Sequence, residues 1–232
     1  MLPQLTRLGR TALDLLFPSR CLGCGNEGDL ICPVCRCKMY GITPTACHSC
    51  DTPQSGDKPC PICLSHQHGI DGIRSPFRFE GVIRQAIHQF KYNNLRYIAR
   101  PLAELLSNYL VANPIPGGVL VPVPLHSRRL RERGYNQSQL LARELGKLVG
   151  LPVTADCITR QRQAAPQTRA TSVSQRRSNV ANAFTCHGDL RDKKIILIDD
   201  VATSGATLDA CATALKSAGA GSVWGLTIAR EV

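Results

Sequence analysis

The chain has few aromatic residues and no long apolar run. Aromatic side chains make up 5% of the 232 residues, which leaves few flat surfaces on which single-stranded nucleic acid could stack its bases. No stretch approaches the roughly 18 consecutive apolar residues of a membrane-spanning helix, so the sequence predicts no membrane span. The apolar stretch at residues 13–17 is short, contains Asp14 and precedes no small-residue cleavage pattern, unlike an export signal. These absences predict a cytoplasmic protein.

Acidic residues are also scarce relative to basic ones. The chain has 17 Asp and Glu residues against 28 Lys and Arg residues, which gives a formal net charge of +11. Much of the excess lies in residues 126–177, where eleven Lys or Arg residues accompany three acidic ones. A basic band of this kind suits a polyanion such as pyrophosphate, a nucleotide or nucleic acid, although it can also serve solubility alone.

The periodicity of apolar residues divides the chain into three parts. Apolar residues recur at helical spacing before Pro18, which predicts an amino-terminal helix at residues 1–18. Residues 19–66 are rich in cysteine, glycine and proline and form a small segment of their own. Residues 67–232 alternate short apolar strands with helical patterns. That alternation predicts an α/β domain in which helices cover both faces of a mainly parallel sheet.

The cysteines of the second part indicate metal binding. Nine of the twelve lie between positions 21 and 63, and eight of these form four C-x-x-C pairs. A two-residue spacer aims both thiolates at one tetrahedral ion, whereas disulfides are disfavoured in a cytosolic chain. We therefore predict two structural zinc ions, held by Cys21/Cys24, Cys32/Cys35, Cys47/Cys50 and Cys60/Cys63. Sequential pairing of the four knuckles is simplest, and an interleaved order stays open, as does substitution by Cys37 or His48.

Residues 195–207 carry the most informative pattern of the third part. Four apolar residues without alternation predict a strand buried on both faces, and Asp199 and Asp200 follow it. The next residues predict a turn into a helix, whose amino-terminal N–H groups suit an anion. The pattern indicates a ribose 5-phosphate site, with the two acids near the ribose hydroxyls. The phosphate would lie against Thr203, Ser204, Gly205, Ala206 and Thr207, although a solvated turn with a helix cap explains each part singly.

A second group of residues suits a pyrophosphate. A predicted loop with four arginines follows the apolar strand that begins at Val119, and guanidinium groups bind phosphate oxygens in a bidentate way. Lys91 comes after the first helix of the domain and could reach the same phosphates, or could simply face solvent. A loop that faces nucleic acid is the alternative reading. The candidate residues are Lys91, Arg128, Arg129, Arg133 and Gly134.

Residues 160–179 predict a mobile flap, because the stretch is polar and lacks periodicity over its first half. Its candidate functional residues are Arg160, Gln167, Arg177 and Asn179. A flap over a reactive ribosyl centre would exclude water from the site.

These motifs together resemble a known family. The acidic pair with its Thr/Ser/Gly loop resembles the phosphoribosyl pyrophosphate (PRPP) signature of type I phosphoribosyltransferases, with Ser204 in place of the commoner threonine. The order of motifs over nearly the whole chain resembles the competence protein F (ComF) family, which includes proteins labelled GntX. That order comprises the four knuckles, Phe90-Lys91-Tyr92, Val121-Pro122-Val123-Pro124-Leu125-His126, Arg133-Gly134-Tyr135-Asn136-Gln137, Pro166-Gln167 with Arg177 and Asn179, and the acidic pair.

The resemblance implies a double zinc ribbon joined to a type I phosphoribosyltransferase fold. It also implies PRPP bound with Mg²⁺, catalytic roles for Asp199 and Asp200, and a link to DNA uptake during natural transformation. No segment can be assigned to an acceptor base. Two functions stay open, namely transfer of a phosphoribosyl group and sensing of PRPP by a factor that binds single-stranded DNA. A third possibility is that the ribbons dock a protein partner, such as a helicase of the uptake machinery.

Overall fold

The structure is a computed structural model that describes residues 19–42, 69–160 and 183–231. Three groups of predicted features lie outside the described residues: the amino-terminal helix at 1–18, the second pair of knuckles with His48, and most of the predicted flap. The site residues concerned are Cys47, Cys50, Cys60, Cys63, Gln167, Arg177 and Asn179.

A parallel sheet forms the centre of the large domain. Its strands are β1 (Gly72–Arg74), β2 (Phe77–Arg78), β3 (Val119–Pro122), β6 (Lys194–Ala202) and β7 (Ser222–Arg230). β7 pairs with β1, β2 and β6, and β6 also pairs with β3, every time in parallel. The carboxyl ends of these strands therefore meet at one edge, where ligands bind in open sheets of this kind.

Helices cover both faces of this sheet, as the alternating pattern predicts. Ile196 and Ile198 of β6 pack into one cluster with residues from three helices, whereas Ile195 and Leu197 pack on the other face with a fourth helix. All four isoleucine and leucine side chains are buried, which explains why the run shows no alternation. The helices are α1 (Pro33–Cys37), α2 (Gly81–Tyr92), α3 (Ala99–Ala112), α4 (Ser127–Arg133), α5 (Gln137–Val149) and α6 (Ala206–Ser217).

The first face holds α2, α3 and α5, and the second holds α6. A short antiparallel pair, β4 (Ile158–Arg160) and β5 (Phe184–Cys186), joins α6 on the second face. A single 3₁₀ turn, Arg96–Ile98, leads into α3. No helix within the described ranges is both long and apolar enough to cross a bilayer.

The first two cysteine knuckles pack directly on the large domain. Ile31, between the knuckles, is 1% exposed and belongs to the same hydrophobic cluster as Ile83 and Ile87 of α2. The chain after α1 runs beside β2, where the Arg78 N–H donates to the Tyr40 carbonyl at 2.9 Å. The described ribbon is therefore continuous with the core of the domain.

Candidate functional site

The acidic pair lies inside a strand rather than in the turn after it. β6 continues past its apolar run because its backbone stays paired with β7, which places Asp199 beside Thr227 and Ala202 beside Arg230. The expectation that the strand ends with Ile198 is therefore wrong. Both acids nevertheless lie toward the carboxyl end of β6, at the edge where the strands of the sheet end.

Asp200 is 2% exposed and uses its two oxygens differently. Its Oδ1 lies 2.7 Å from Nζ of Lys91, so the alternative of a solvent-facing lysine is wrong. Its Oδ2 is buried and has no hydrogen-bond partner among the described residues. A buried acceptor without a donor is costly, so this oxygen is suited to accept a hydrogen bond from a ligand or to contact a bound cation.

Asp199 concentrates its hydrogen bonds on one oxygen. Its Oδ1 accepts the Ser138 hydroxyl at 2.8 Å and the Asp200 backbone N–H at 2.9 Å. Removal of water from around the carboxyl and the neighbouring charge of Asp200 raise the pKa of Asp199 to about 7, against the lowering effect of those two hydrogen bonds and of Lys91. A ligand that requires the carboxylate therefore binds better as the pH rises through this range.

The predicted phosphate loop follows directly. Thr203, Ser204 and Thr207 are exposed, whereas Gly205 is buried and caps α6 at a φ of +76°. The backbone conformation requires glycine at this position, and a Cβ there would lie 2.9 Å from Cδ1 of Ile73, whose side chain would have to shift. The twelve-residue helix that starts here exposes its first turn, including Ala206, beside the acidic strand. Its leading N–H groups and its dipole favour an anion.

The predicted arginine loop is a helix, α4, with no buried residue. The stretch lacks glycine and proline until Gly134, whose φ of +76° ends the helix. Within α4, Nε of Arg128 lies 2.8 Å from Glu132, one turn along. Arg128 and Arg129 are consequently held on an exposed helical surface rather than in a loop that wraps a ligand.

Arg133, at the end of α4, lies close to the helix that carries Lys91. Its guanidinium lies 5.4 Å from the ring centroid of Tyr92, and it also donates to the Gln137 side chain. Arg160 of the predicted flap ends β4, and its guanidinium lies 5.6 Å from the ring centroid of Phe184 on β5. The structure thus brings two of the predicted anion-binding residues near the acidic pair. Lys91 contacts Asp200 directly, and Arg133 lies against Tyr92, the neighbour of Lys91 in the sequence.

Sequence reasoning assigned no role to three residues in and just before the first turn of α5. The Tyr135 hydroxyl donates to the Phe90 carbonyl, directly before Lys91. The Asn136 side chain donates to the Val123 carbonyl at 3.0 Å, just after β3. Ser138 donates to Asp199, 61 positions away in sequence. The only available signal was that these residues belong to, or directly follow, the family-specific motif that begins at Arg133.

The first two cysteine knuckles bring their four thiols together as one set. The Sγ atoms of Cys21, Cys24, Cys32 and Cys35 all lie within 4.8 Å of one another. The sulfurs of Cys24 and Cys32 are 3.7 Å apart, close to the separation of about 3.8 Å expected around zinc with Zn–S bonds of about 2.3 Å. The Cys32 N–H donates to the Cys21 sulfur at 3.4 Å. Sequential pairing is confirmed for this site, which fits a structural zinc ion, and Cys37 is exposed outside the set.

A separate cavity of about 260 Å³ opens at the opposite ends of the strands. Val119 and Ile195, near the starts of β3 and β6, form part of its wall together with Cys157 and Lys193. Because the acids lie toward the carboxyl end of β6, this cavity is not part of the candidate site.

Comparison with known families supports both the cysteine-rich segment and the α/β domain. Residues 12–64 match the double zinc ribbon domain and residues 131–229 match the phosphoribosyl transferase domain. The DNA utilization protein YhgH of Escherichia coli O157:H7 is 30% identical over 199 residues, which cover 83% of this chain and 87% of that protein. The competence protein ComFC of Bacillus subtilis is 29% identical over 209 residues, which cover 87% of this chain and 84% of that protein.

Other matches are partial. Competence protein F of Haemophilus influenzae is 33% identical over 153 residues, and the match spans 60% of this chain and 65% of that protein. Among solved structures, the glutamine PRPP amidotransferase from B. subtilis aligns with a TM-score of 0.43 at 17% identity, covering 60% of this chain and 30% of that one. From the two domain matches and the relatives aligned over most of its length, the chain belongs to the ComF/YhgH family, which combines a double zinc ribbon with a phosphoribosyltransferase-like domain.

Proposed function

We propose that the carboxyl edge of the sheet binds PRPP together with Mg²⁺, and that the protein transfers or senses the phosphoribosyl group. One observation carries this proposal. Oδ2 of Asp200 is a buried acceptor without a donor among the described residues, and it lies on the strand that leads into the glycine-capped start of α6. A sugar that bears both hydroxyls and a phosphate complements this arrangement.

Each part of the ligand has a matching group in the site. The ribose hydroxyls would donate to the carboxylates of Asp199 and Asp200, and the 5-phosphate would accept from the N–H groups at the start of α6. Lys91 and Arg133 would face the pyrophosphate, and Arg128 and Arg129 would contribute positive potential from the exposed face of α4. The two carboxylates offer the oxygen ligands that Mg²⁺ prefers, and a bound Mg²⁺ would counter the charge of the departing pyrophosphate.

The names of the relatives suggest the process in which this site acts. They are called competence and DNA utilization proteins. We infer a cytoplasmic role in the handling of DNA that enters the cell, in which a helicase of the uptake machinery would be a protein partner.

Calorimetric titration with PRPP and Mg²⁺ tests the site. Wild type is expected to bind, and Asp200→Asn to bind about tenfold to a hundredfold more weakly, because a charged acceptor of hydrogen bonds is lost. Asp192→Asn is the matched control, since Asp192 is exposed before β6 and has a φ of +57° that asparagine tolerates. Equal binding by wild type and Asp200→Asn would contradict the proposed site.

Pyrophosphate release separates transfer from sensing. Incubation with PRPP and a panel of bases and nucleosides is expected to release pyrophosphate with one class of acceptor if the protein is a transferase. Binding of PRPP without release in any of these mixtures would favour the sensing role.

A second candidate function, binding of single-stranded DNA, is favoured by the tyrosines. Aromatic residues are few, but three of the five tyrosines are more than 60% exposed: Tyr40, Tyr92 and Tyr97. The Arg133 guanidinium lies over the ring of Tyr92. Exposed aromatic rings next to arginine are the elements on which single strands stack.

Titration of a labelled oligo(dT) over a salt series tests this second function. Wild-type affinity is expected to fall steeply with salt, because phosphate contacts release counterions. Tyr92→Ala is expected to weaken binding by about fivefold or more, the loss of one stacked base. Val111→Ala serves as the control, since Val111 is apolar and 84% exposed. An affinity that hardly changes with salt would rule out DNA binding of this type.

A further inference from the structure

The last turn of α2 carries Lys91 and contains a carbonyl that the helix does not satisfy. The Asn93 N–H donates to the Gln89 carbonyl at 3.1 Å, and the chain then leaves the helix, because Asn94 has a φ of +54°. The Phe90 carbonyl receives no backbone N–H from the described residues that follow the helix. A carbonyl at such a helix end needs a donor from elsewhere in the fold.

Tyr135 supplies that donor. It lies between α4 and α5 and is 6% exposed, and its hydroxyl donates to the Phe90 carbonyl in a buried hydrogen bond. The centroids of the Tyr135 and Phe90 rings lie 6.1 Å apart. The side chain of Asn136, next in sequence, donates to the Val123 carbonyl just after β3 at 3.0 Å. The segment that holds the end of α2 is therefore itself tied to the carboxyl edge of the sheet.

Two arginine–tyrosine contacts join the same two segments in a reciprocal way. The Arg96 guanidinium lies 4.7 Å from the ring centroid of Tyr135, and the Arg133 guanidinium lies 5.4 Å from that of Tyr92. Each segment contributes one arginine and one tyrosine to these cation–π contacts. The end of α2 and the turn after it are thus held at three points, namely the Phe90 carbonyl, the Tyr92 ring and the Arg96 guanidinium.

Lys91 lies between two of these points in the sequence. Its side chain is long and flexible, so the position of its ammonium depends on where the backbone of α2 is held. In the structure, Nζ of Lys91 lies 2.7 Å from Oδ1 of Asp200 on β6. A displacement of the last turn of α2 would move the ammonium away from Asp200 and from any phosphate beside it.

We propose that Tyr135 is a positioning residue, whose hydroxyl holds the last turn of α2 so that the Lys91 ammonium meets Asp200 and faces the ligand. The proposal rests on the proposed function for the identity of that ligand, the pyrophosphate group of PRPP. The effect on Lys91 belongs to the protein itself and can be measured without any ligand.

The direct test measures exchange of the Lys91 ammonium hydrogens with water by ¹H–¹⁵N NMR of the free protein at one fixed pH, with the Lys91 signal assigned from Lys91→Met. Tyr135→Phe keeps the ring and removes only the hydroxyl. It is expected to speed the exchange by about fivefold, the factor that corresponds to one hydrogen bond of average strength, because the ammonium then leaves Asp200 more often.

Tyr109→Phe is the matched control for this measurement. It makes the same substitution at a tyrosine that packs against the same hydrophobic cluster, but in the last turn of α3. It should leave the exchange of the Lys91 ammonium unchanged. An unchanged exchange rate in a folded Tyr135→Phe protein would overturn the proposal. An equal rise in Tyr109→Phe would overturn it as well, because the hydrogen bond to Phe90 would then not be the cause.

A double-mutant cycle separates the positioning of Lys91 from a general structural role. Calorimetric titration with PRPP and Mg²⁺ measures the affinities of wild type, Tyr135→Phe, Lys91→Met and the double variant. Tyr135→Phe is expected to weaken binding by about fivefold when Lys91 is present, and to have little effect in the Lys91→Met protein, where no ammonium remains to be positioned. The same loss in both backgrounds would contradict the proposal, because the hydroxyl would then act independently of the lysine.

The two measurements separate the two ideas. If Tyr135→Phe speeds the exchange of the Lys91 ammonium while wild type binds no PRPP, the positioning role holds and the ligand assignment fails. If wild type binds PRPP and the ammonium exchanges identically in both proteins, the ligand assignment holds and the positioning role fails.

Discussion

Removal of zinc from the cluster of Cys21, Cys24, Cys32 and Cys35 is expected to destabilise the large domain as well as the ribbon. Structural zinc contributes about 10–16 kcal/mol to the folding of small ribbons, so this segment should unfold without metal. Its unfolding would expose Ile31 and the α2 surface that Ile31 covers. Burial of one such side chain contributes about 1.5–3 kcal/mol, and several partly buried neighbours share the contact.

The expected result is a midpoint of thermal unfolding about 10 °C lower for the zinc-free protein, since each kcal/mol shifts the midpoint of a chain of this size by about 2–4 °C. Thermal unfolding with and without a chelator, together with metal analysis, measures this shift. Cys35→Ser should reproduce it, whereas Cys37→Ser should not, because Cys37 is exposed outside the cluster. An unchanged midpoint in demonstrably zinc-free protein would show that the ribbon folds independently of the domain. Zinc well below two per chain in the purified protein would contradict the prediction of two sites.

Features set by short stretches of sequence were predictable. A two-residue spacer fixes two thiolates on one ion, and the described cluster confirms the pairing of the first two knuckles. The apolar run of β6 is buried on both faces, as its lack of alternation predicts. Gly150, which directly follows the helical pattern of residues 136–149, ends α5 with a φ of +70°. In each case the chemistry of a few adjacent residues decides the conformation.

Features set by distant partners were not predictable. The apolar run alone suggests that β6 ends before Asp199, but pairing with the nine-residue β7 carries the strand to Ala202. Helix α4 is a different case, because its signals are local. The stretch was interpreted as a loop from its four arginines, but it is free of helix breakers, and Arg128 and Glu132 pair one turn apart. No local signal links Ser138 with Asp199, because the two meet only through the packing of α5 on β6.

Lys91→Met is expected to lower the free energy of unfolding by about 3–5 kcal/mol at pH 8, the usual cost of leaving one member of a buried ion pair alone. The Lys91 ammonium lies 2.7 Å from Asp200, and the two side chains are 21% and 3% exposed. Lys147→Met is the matched control. Lys147 also lies within 2.5 Å of a carboxylate, Glu144, but it is 66% exposed, so its loss should change stability by less than about 1 kcal/mol.

The pH dependence of this effect has a definite sign. The pKa of Asp199 is raised in the folded protein, so its contribution to stability is present at low pH and is lost as the pH rises through about 7. Lys91 lowers the pKa of Asp199, so removal of the lysine should raise that pKa further. The stability that depends on protonated Asp199 is then lost over a range that extends to higher pH. Urea denaturation should therefore show a smaller deficit for Lys91→Met at pH 5 than at pH 8. A deficit at pH 8 no larger than that of Lys147→Met would contradict the buried ion pair.

The double variant Lys91→Met, Asp200→Asn separates stability from binding. The second substitution removes the unpaired Asp200 carboxylate and its repulsion of Asp199, so most of the stability lost in Lys91→Met should return. Binding of PRPP should not return, because the proposed contacts to ribose and pyrophosphate are both gone. One outcome is a double variant that is as stable as wild type and still binds PRPP at least tenfold more weakly. In that case the fold does not require the Lys91–Asp200 pair, whereas binding of PRPP does. If the double variant instead binds PRPP as wild type does, the ion pair has no part in ligand binding and the ligand site lies elsewhere.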